Sequence, residues 1–73
     1  MRQAVARNLR RIRHDRGFSQ EELAHRAGVD RSYISLLENG AYSASVDMLA
    51  KLADALGVRA AELLALPLPR RRR

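Results

Sequence analysis

Cysteine and tryptophan are absent from this 73-residue chain, and tyrosine and phenylalanine together supply only three residues. Without cysteine there are no disulfides, no thiolate metal sites and no cysteine nucleophile, and a reducing compartment, the cytoplasm, is the expected setting. Two histidines, His14 and His25, cannot hold a zinc ion by themselves. Long apolar runs are also lacking. The longest, near Leu63 to Leu68, falls far short of the roughly 20 residues that cross a bilayer, and the stretch Met1 to Arg7 has no apolar core of signal-peptide length. Nothing in the composition indicates a cofactor, a metal, a membrane partner or a small-molecule ligand.

What the chain does have is arginine. The formal net charge is +6. Arg2, Arg7, Arg10, Arg11, Arg13 and Arg16 crowd the first sixteen positions, and Arg70 to Arg73 close the sequence. A polyanion is the simplest partner for such a surface, because each phosphate neutralised releases condensed counterions; a merely solubilising surface fits the same composition. The length bounds a single small domain of marginal stability, for which a dimer interface is one source of further burial.

Gly17, Gly28, Gly40 and Gly57 divide the sequence into five pieces, each with helical and none with strand periodicity. In the first, Val5, Leu9 and Ile12 make one apolar stripe on a helix running to about Arg16. The second opens with Ser19-Gln20-Glu21-Glu22, a capping-box pattern in which Ser19 and Glu22 serve each other's end of the first turn, with Phe18 placed to staple onto Leu23. It ends near Ala27. Asp30 is the expected N-cap of a third helix whose inward side is Ile34 and Leu37 and which Asn39-Gly40 stops. A fourth helix, capped by Ser43 or Ser45, is expected to bury Val46, Leu49, Leu52, Ala53 and Leu56. A brief fifth carries Leu63 and Leu64. Pro67 and Pro69 then end regular structure, so the reading is a helical domain over residues 1–66 and a flexible basic tail over 67–73.

The spaced series Leu9-Arg10-Arg11-Ile12-Arg13, Gly17-Phe18-Ser19-Gln20-Glu21-Glu22-Leu23-Ala24, Ala27-Gly28-Val29, Ser32-Tyr33-Ile34-Ser35, Glu38-Asn39-Gly40, Leu49 and Leu52-Ala53 with Leu56-Gly57-Val58 resembles the phage-repressor and Cro, or XRE, family of helix-turn-helix domains. The resemblance implies a fold: an all-α, five-helix, lambda-repressor-like bundle. On the residues' own terms, Ala24 is small where two helices cross and Gly28 suits the left-handed turn between them, with Leu23, Val29, Ile34 and Leu37 as core beneath. The resemblance further implies a recognition helix at about Arg31 to Glu38 lying in the major groove of double-stranded DNA.

On that helix, inward-facing Ile34 and Leu37 leave Arg31, Ser32, Ser35 and Leu36 to point outward. Arg31 suits a bidentate contact to guanine, worth about 1–3 kcal/mol of discrimination; its other readings are a phosphate contact or a surface pair with Asp30. Ser32 and Ser35 are permissive donors and acceptors, and Leu36 suits a thymine methyl. Tyr33 is read as a phosphate or mixed contact. By the resemblance, Gln20 clamps the DNA backbone and braces the recognition helix, Asn39 and the loop around Tyr42 and Ser43 form a second phosphate clamp, and Arg13 pairs with Glu38. Arg10 is grouped with the backbone contacts, Arg7 and Arg11 being solvated or phosphate-facing. Two positions depart from the family pattern: Ala44 stands where Pro is frequent, and Arg59 occupies a capping position that leaves Glu62 without its reciprocal partner.

The function these features imply is a sequence-specific transcriptional regulator, acting as a homodimer through the fifth helix and C-terminal region on an inverted repeat. With no room in the chain for an effector domain, regulation is expected to come from concentration, self-assembly or a partner protein. An enzyme fits poorly, because Ser19 and Asp30 are explained as caps and His25 as a helix-surface residue, leaving no nucleophile oriented by a base. A protein-interaction adaptor or antitoxin of the same fold is the alternative; it would be free to place acidic or apolar groups where Gln20, Arg31 and Asn39 stand. Membrane-surface binding by the Arg-rich first helix conflicts with the use of Val5, Leu9 and Ile12 in a core. The terminal arginines suit a phosphate-tracking arm or a solubilising end.

Overall fold

Each piece between the punctuating glycines closes into a helix in the computed structural model, which describes residues 2–65. The order is α1 (Arg2–Asp15), α2 (Gln20–Ala27), α3 (Arg31–Glu38), α4 (Val46–Leu56) and α5 (Ala60–Leu64), with no strand among the described residues. Leu66 and the basic tail expected over 67–73, Arg70 to Arg73 included, lie outside the described residues. Among the described residues no helix is long and apolar enough to cross a membrane.

The helices pack as a closed circuit: α1 against α3, α3 against α2, α2 against α4, α4 against α5, and α5 back against α1. The core explains the circuit, because every helix contributes a fully buried aliphatic side chain: Leu9 from α1, Leu23 from α2, Ile34 and Leu37 from α3, Leu52 from α4 and Leu63 from α5. Each such burial is worth about 1.5–3 kcal/mol. No helix here is long enough to be stable alone, so the shared core stabilises all five at once. Val5 and Ile12 join the core, as do Ala24, Ala44, Leu49, Ala53 and Leu56, whereas Val29 is half-buried against it.

The helix ends follow local chemistry. Ser19 Oγ accepts from the Glu22 amide at 3.0 Å, and Ser45 rather than Ser43 caps α4, accepting from the Met48 amide at 3.1 Å. At the end of α2, Gly28 has φ +71°, with its amide on the His25 carbonyl at 3.2 Å and the Val29 amide on Ala24 at 2.9 Å. A Cβ built at Gly28 would meet nothing within 4 Å, so it is the left-handed dihedral and not space that calls for glycine.

Several expectations are corrected. Glu22 does not reach back to close a capping box; its carboxylate turns to Arg26, four residues on, at 3.2 Å. Val46 is 81% exposed rather than buried: as the first residue of α4 it points off the bundle, and Ala44, just before the cap, takes the inward place. The start of α5 is better supported than Arg59 suggests, since Glu62 accepts from the Arg59 backbone amide at 3.3 Å even though an arginine side chain has no acceptor to return the bond.

Two long-range ties that hold helix ends were not foreseen. Asn8 is buried, and its Nδ2 donates to the Leu63 and Ala65 carbonyls at 2.9 and 2.6 Å, satisfying the last turn of α5. Arg16 Nε donates to the Leu56 carbonyl at the end of α4 at 2.8 Å. The signal for Asn8 was in the sequence, a polar residue at i+3 from Val5 and i−4 from Ile12, inside the apolar stripe. Asn8→Ala is expected to cost about 1–3 kcal/mol in chemical denaturation by stranding two carbonyls, while Val46→Ser changes stability by less than about 0.5 kcal/mol; the reverse ranking would contradict this account of both positions.

Candidate nucleic-acid interface

The short α2 and the start of α3 meet through the turn at Gly28, which ends α2 and lets the chain re-enter a helix three residues later. Asp30 is the N-cap residue of α3, with extended backbone, and its carbonyl accepts from the Tyr33 amide at 3.0 Å. Its side chain, contrary to expectation, makes no cap hydrogen bond. Ser32 Oγ donates to Asp30 Oδ2 at 2.6 Å instead, which engages the hydroxyl of Ser32 and leaves the carboxylate beside the positive helix end.

Arg31 and Ser32 are exposed at the first turn of α3. Among the described residues Arg31 is in no ion pair, so its suggested pairing with Asp30 is not formed. Ser35 and Leu36 are only half exposed, a turn deeper along the helix, where the bundle narrows what they present. Tyr33 is also half-buried, packed against the core, and its ring lies 5.8 Å from that of Tyr42 with the planes at 54°. That tilted pair is a favourable aromatic geometry. It anchors the loop after α3 to the side of that helix and leaves Tyr42 50% exposed.

Beneath this surface sits one buried carboxylate. Glu38, at the end of α3, has a side chain 1% exposed. Arg13 of α1 donates to it twice, Nε to Oε2 at 2.6 Å and Nη2 to Oε1 at 3.0 Å, and its third nitrogen, Nη1, donates to the Phe18 carbonyl at 2.7 Å. Gln20 Nε2 of α2 donates to Oε1 at 3.1 Å, and Arg10 Nε approaches the same oxygen at 3.8 Å. One acceptor thus collects donors from α1 and α2 onto α3. Gln20 acts here as a brace between the first turn of α2 and the far end of α3, and it remains half exposed.

The second phosphate clamp expected from the sequence lies beyond Glu38. Asn39 is exposed, its amide on the Ser35 carbonyl at 3.1 Å, and Gly40, with φ +73°, turns the chain so that the Ala41 amide bonds the Leu36 carbonyl at 2.9 Å. Tyr42 and Ser43 follow, both exposed. Ser43 Oγ accepts from Arg2 Nε at 3.1 Å, a link between the start of α1 and this loop that sequence reasoning missed. The structure therefore gathers Gln20, Arg10, Arg13 and Glu38 at one point, and places Asn39 at the end of the same helix. Arg31 and Ser32 stand at its opposite end, Ser35 and Leu36 between. Such a layout separates groups that suit fixing a backbone from groups that suit inspecting base edges.

The chain is similar to known proteins in sequence and in fold. A family model described as helix-turn-helix matches residues 9–63. The chain is 42% identical over 67 residues to a hypothetical transcription factor of Neisseria meningitidis, covering 92% of this chain but 63% of that protein, so it spans less than two thirds of that relative's length. It is similar in structure to the restriction-modification controller protein C.AhdI of Aeromonas hydrophila, with TM-score 0.82 and 39% identity over 85% of this chain and 94% of the other. A third likeness, at TM-score 0.76 and 26% identity over 88% and 95% of the two chains, is to the controller C.Esp1396I, whose structure is a tetramer in complex with its natural 35 base-pair operator.

The buried carboxylate generates a stability test. Glu38→Ala removes one member of a buried pair and leaves the Arg13 charge and the Gln20 amide without their acceptor, so a loss of about 3–5 kcal/mol is expected. A denaturant midpoint indistinguishable from the unsubstituted protein would show that the carboxylate does not hold the bundle together.

Proposed function

This chain belongs to the helix-turn-helix family and is a DNA-binding regulator of the XRE type, and from that premise we propose that it reads a specific double-stranded sequence by inserting α3 into the major groove as a homodimer on an inverted repeat. The observation that carries the reading is the pairing of an exposed, unengaged Arg31 at the first turn of α3 with a brace, Gln20 to Glu38, that fixes the angle between α2 and α3. A guanidinium held on a rigid helix discriminates a base through two parallel hydrogen bonds; held on a mobile one, it loses that geometry to entropy.

In this reading Arg31 contacts guanine. Ser32 and Ser35 are secondary readers, Ser32 with its hydroxyl partly committed to Asp30, and Leu36 contributes an apolar edge. Gln20, Asn39, Tyr42, Ser43 and Arg10 contact phosphates. Tyr33 acts chiefly by positioning Tyr42.

A dimer is supported by two features. One recognition helix of eight residues offers a small footprint, and a symmetric pair doubles it over half-sites about one helical turn apart. The short α5 presents Leu64 on the surface, while Asn8 pins the neighbouring carbonyls, so this edge is both apolar and rigid. The tetrameric assembly seen for C.Esp1396I on its operator is a precedent for self-assembly in this fold.

Selection from random duplexes tests the proposal in one experiment. The expected product is a palindrome with half-site centres about 10 base pairs apart, and Arg31→Ala is expected to relax one position of each half-site by about 1–3 kcal/mol with little change elsewhere. Equal recovery of all duplexes at moderate ionic strength would refute sequence reading and favour a protein-binding adaptor.

A further inference from the structure

The positive charge is not on the recognition helix. α1 carries Arg2, Arg7, Arg10, Arg11 and Arg13 against a single acid, Asp15. In α3 the one arginine is balanced by Glu38, while α2, α4 and α5 each carry one more acid than base among Asp, Glu, Lys and Arg. If the chain grips a polyanion, most of that grip from the described residues must come from α1.

One polar face of α1, with Arg7 and Arg10 as its cations, is arranged for it. Gln3, Arg7, Arg10 and His14 follow one another at steps of four, three and four, which puts them on one face of the helix, with Arg11 alongside. Together with Asn39 and Gly40 they line an open groove of about 450 Å³. Between Gln3 and His14 the helix rises about 16 Å, long for one phosphate group and suited to several in succession.

These cations are only partly engaged by internal partners: Arg11 Nη2 donates to Asn8 Oδ1 at 3.4 Å, a long bond that leaves its other donors outward. Glu38 is already held by Arg13 and Gln20, and Arg10, with a side chain 56% exposed, only approaches it at 3.8 Å. Arg11 meets Asp15 at 4.0 Å, but both side chains are more than half exposed, so water screens the pair. The groove is also continuous with the loop after α3: Asn39 and Gly40 belong to both, and Arg2 is bonded to Ser43. Around α1 the groove face lies about a third of a turn from Asn8, the residue that points to α5.

We infer that this groove is a second DNA-backbone site, which takes phosphates of the duplex outside the segment inspected by α3 and lengthens the footprint without adding sequence preference. The inference rests on the reading of the chain as a DNA-binding dimer, in which α5 faces the partner and the α1 groove faces outward. Arg7 and Arg11 carry the contact, Arg10 joins the groove to the clamp at Gln20 and Glu38, and the edge of the groove at Asn39 passes the strand from one to the other.

The test uses the full chain and two duplexes built on the selected site, one ending at its edges and one extended by arbitrary sequence on both sides. The unsubstituted protein is expected to bind the extended duplex about tenfold more tightly at low salt, with a salt dependence steeper by nearly one unit per added phosphate. The double variant Arg7→Gln/Arg11→Gln is expected to keep its affinity for the short duplex within about threefold, to lose the advantage of the long one, and to regain it as Arg7→Lys/Arg11→Lys. Both positions are exposed, and circular dichroism and the thermal midpoint control for folding. No length effect in the unsubstituted protein, equal losses on both duplexes, or displacement of the long flank by micromolar ATP used as a free polyphosphate would each overturn the groove assignment while leaving recognition of the short site intact. Absence of any preference for the selected site would instead bring down the DNA reading and this inference together.

Discussion

A carboxylate removed from water must find its compensation inside the protein, and in this molecule the side chain of Glu38 finds it from two other helices. Arg13 supplies charge and a two-pronged fit, Gln20 a neutral donor, and the remaining nitrogen of Arg13 fastens the Phe18 carbonyl between α1 and α2. Because an unsatisfied buried charge is so costly, the relative placement of α1, α2 and α3 cannot drift without breaking several bonds at once. Apolar burial drives the five helices together, but it is non-directional; the Glu38 cluster adds the direction.

That rigidity is what the surface above it requires. In the proposed reading, base contact through Arg31 depends on where α3 points, and phosphate contact through Gln20 and Asn39 depends on the spacing between two helix ends. The same bonded cluster sets both. Around it, secondary ties hold the periphery: the Tyr33–Tyr42 pair steadies the loop after α3, Asn8 fixes the end of α5, and Arg16 fixes the end of α4. Arginine thus serves two different ends in one short helix. Arg13 is buried and structural, whereas Arg7, Arg10 and Arg11, on the outer side of the same helix, remain available to an anion.

The mistaken expectations share a cause. Glu22, Asp30 and Val46 each sit at a helix start, where local rules are strong but several solutions compete. Glu22 had a cation one turn along the same helix, Asp30 had a hydroxyl two residues away, and Val46 fell on the side of its helix that meets no neighbour. Ser35 and Leu36 do stand on the outer side of α3, but helical periodicity gives only a direction around one axis and not how closely the next element crowds it, which leaves both half-buried.

What the chain alone determined is most of what depends on residues within a few positions of one another: five helices, glycines after the first four, the serine caps, the apolar stripes, and the family pattern. Backbone dihedrals and helical faces are set over three or four residues, so a linear pattern records them. Beyond the Arg13–Glu38 pair that the resemblance implied, only the tertiary structure decided which distant groups satisfy one another: Asn8 with carbonyls 55 and 57 residues away, Arg16 with one 40 away, Arg10 and Gln20 beside the same carboxylate, and α1 beside the end of α3 to line a basic groove. Those choices follow from distances between packed elements, and such distances exist only once the shared core has brought the helices together.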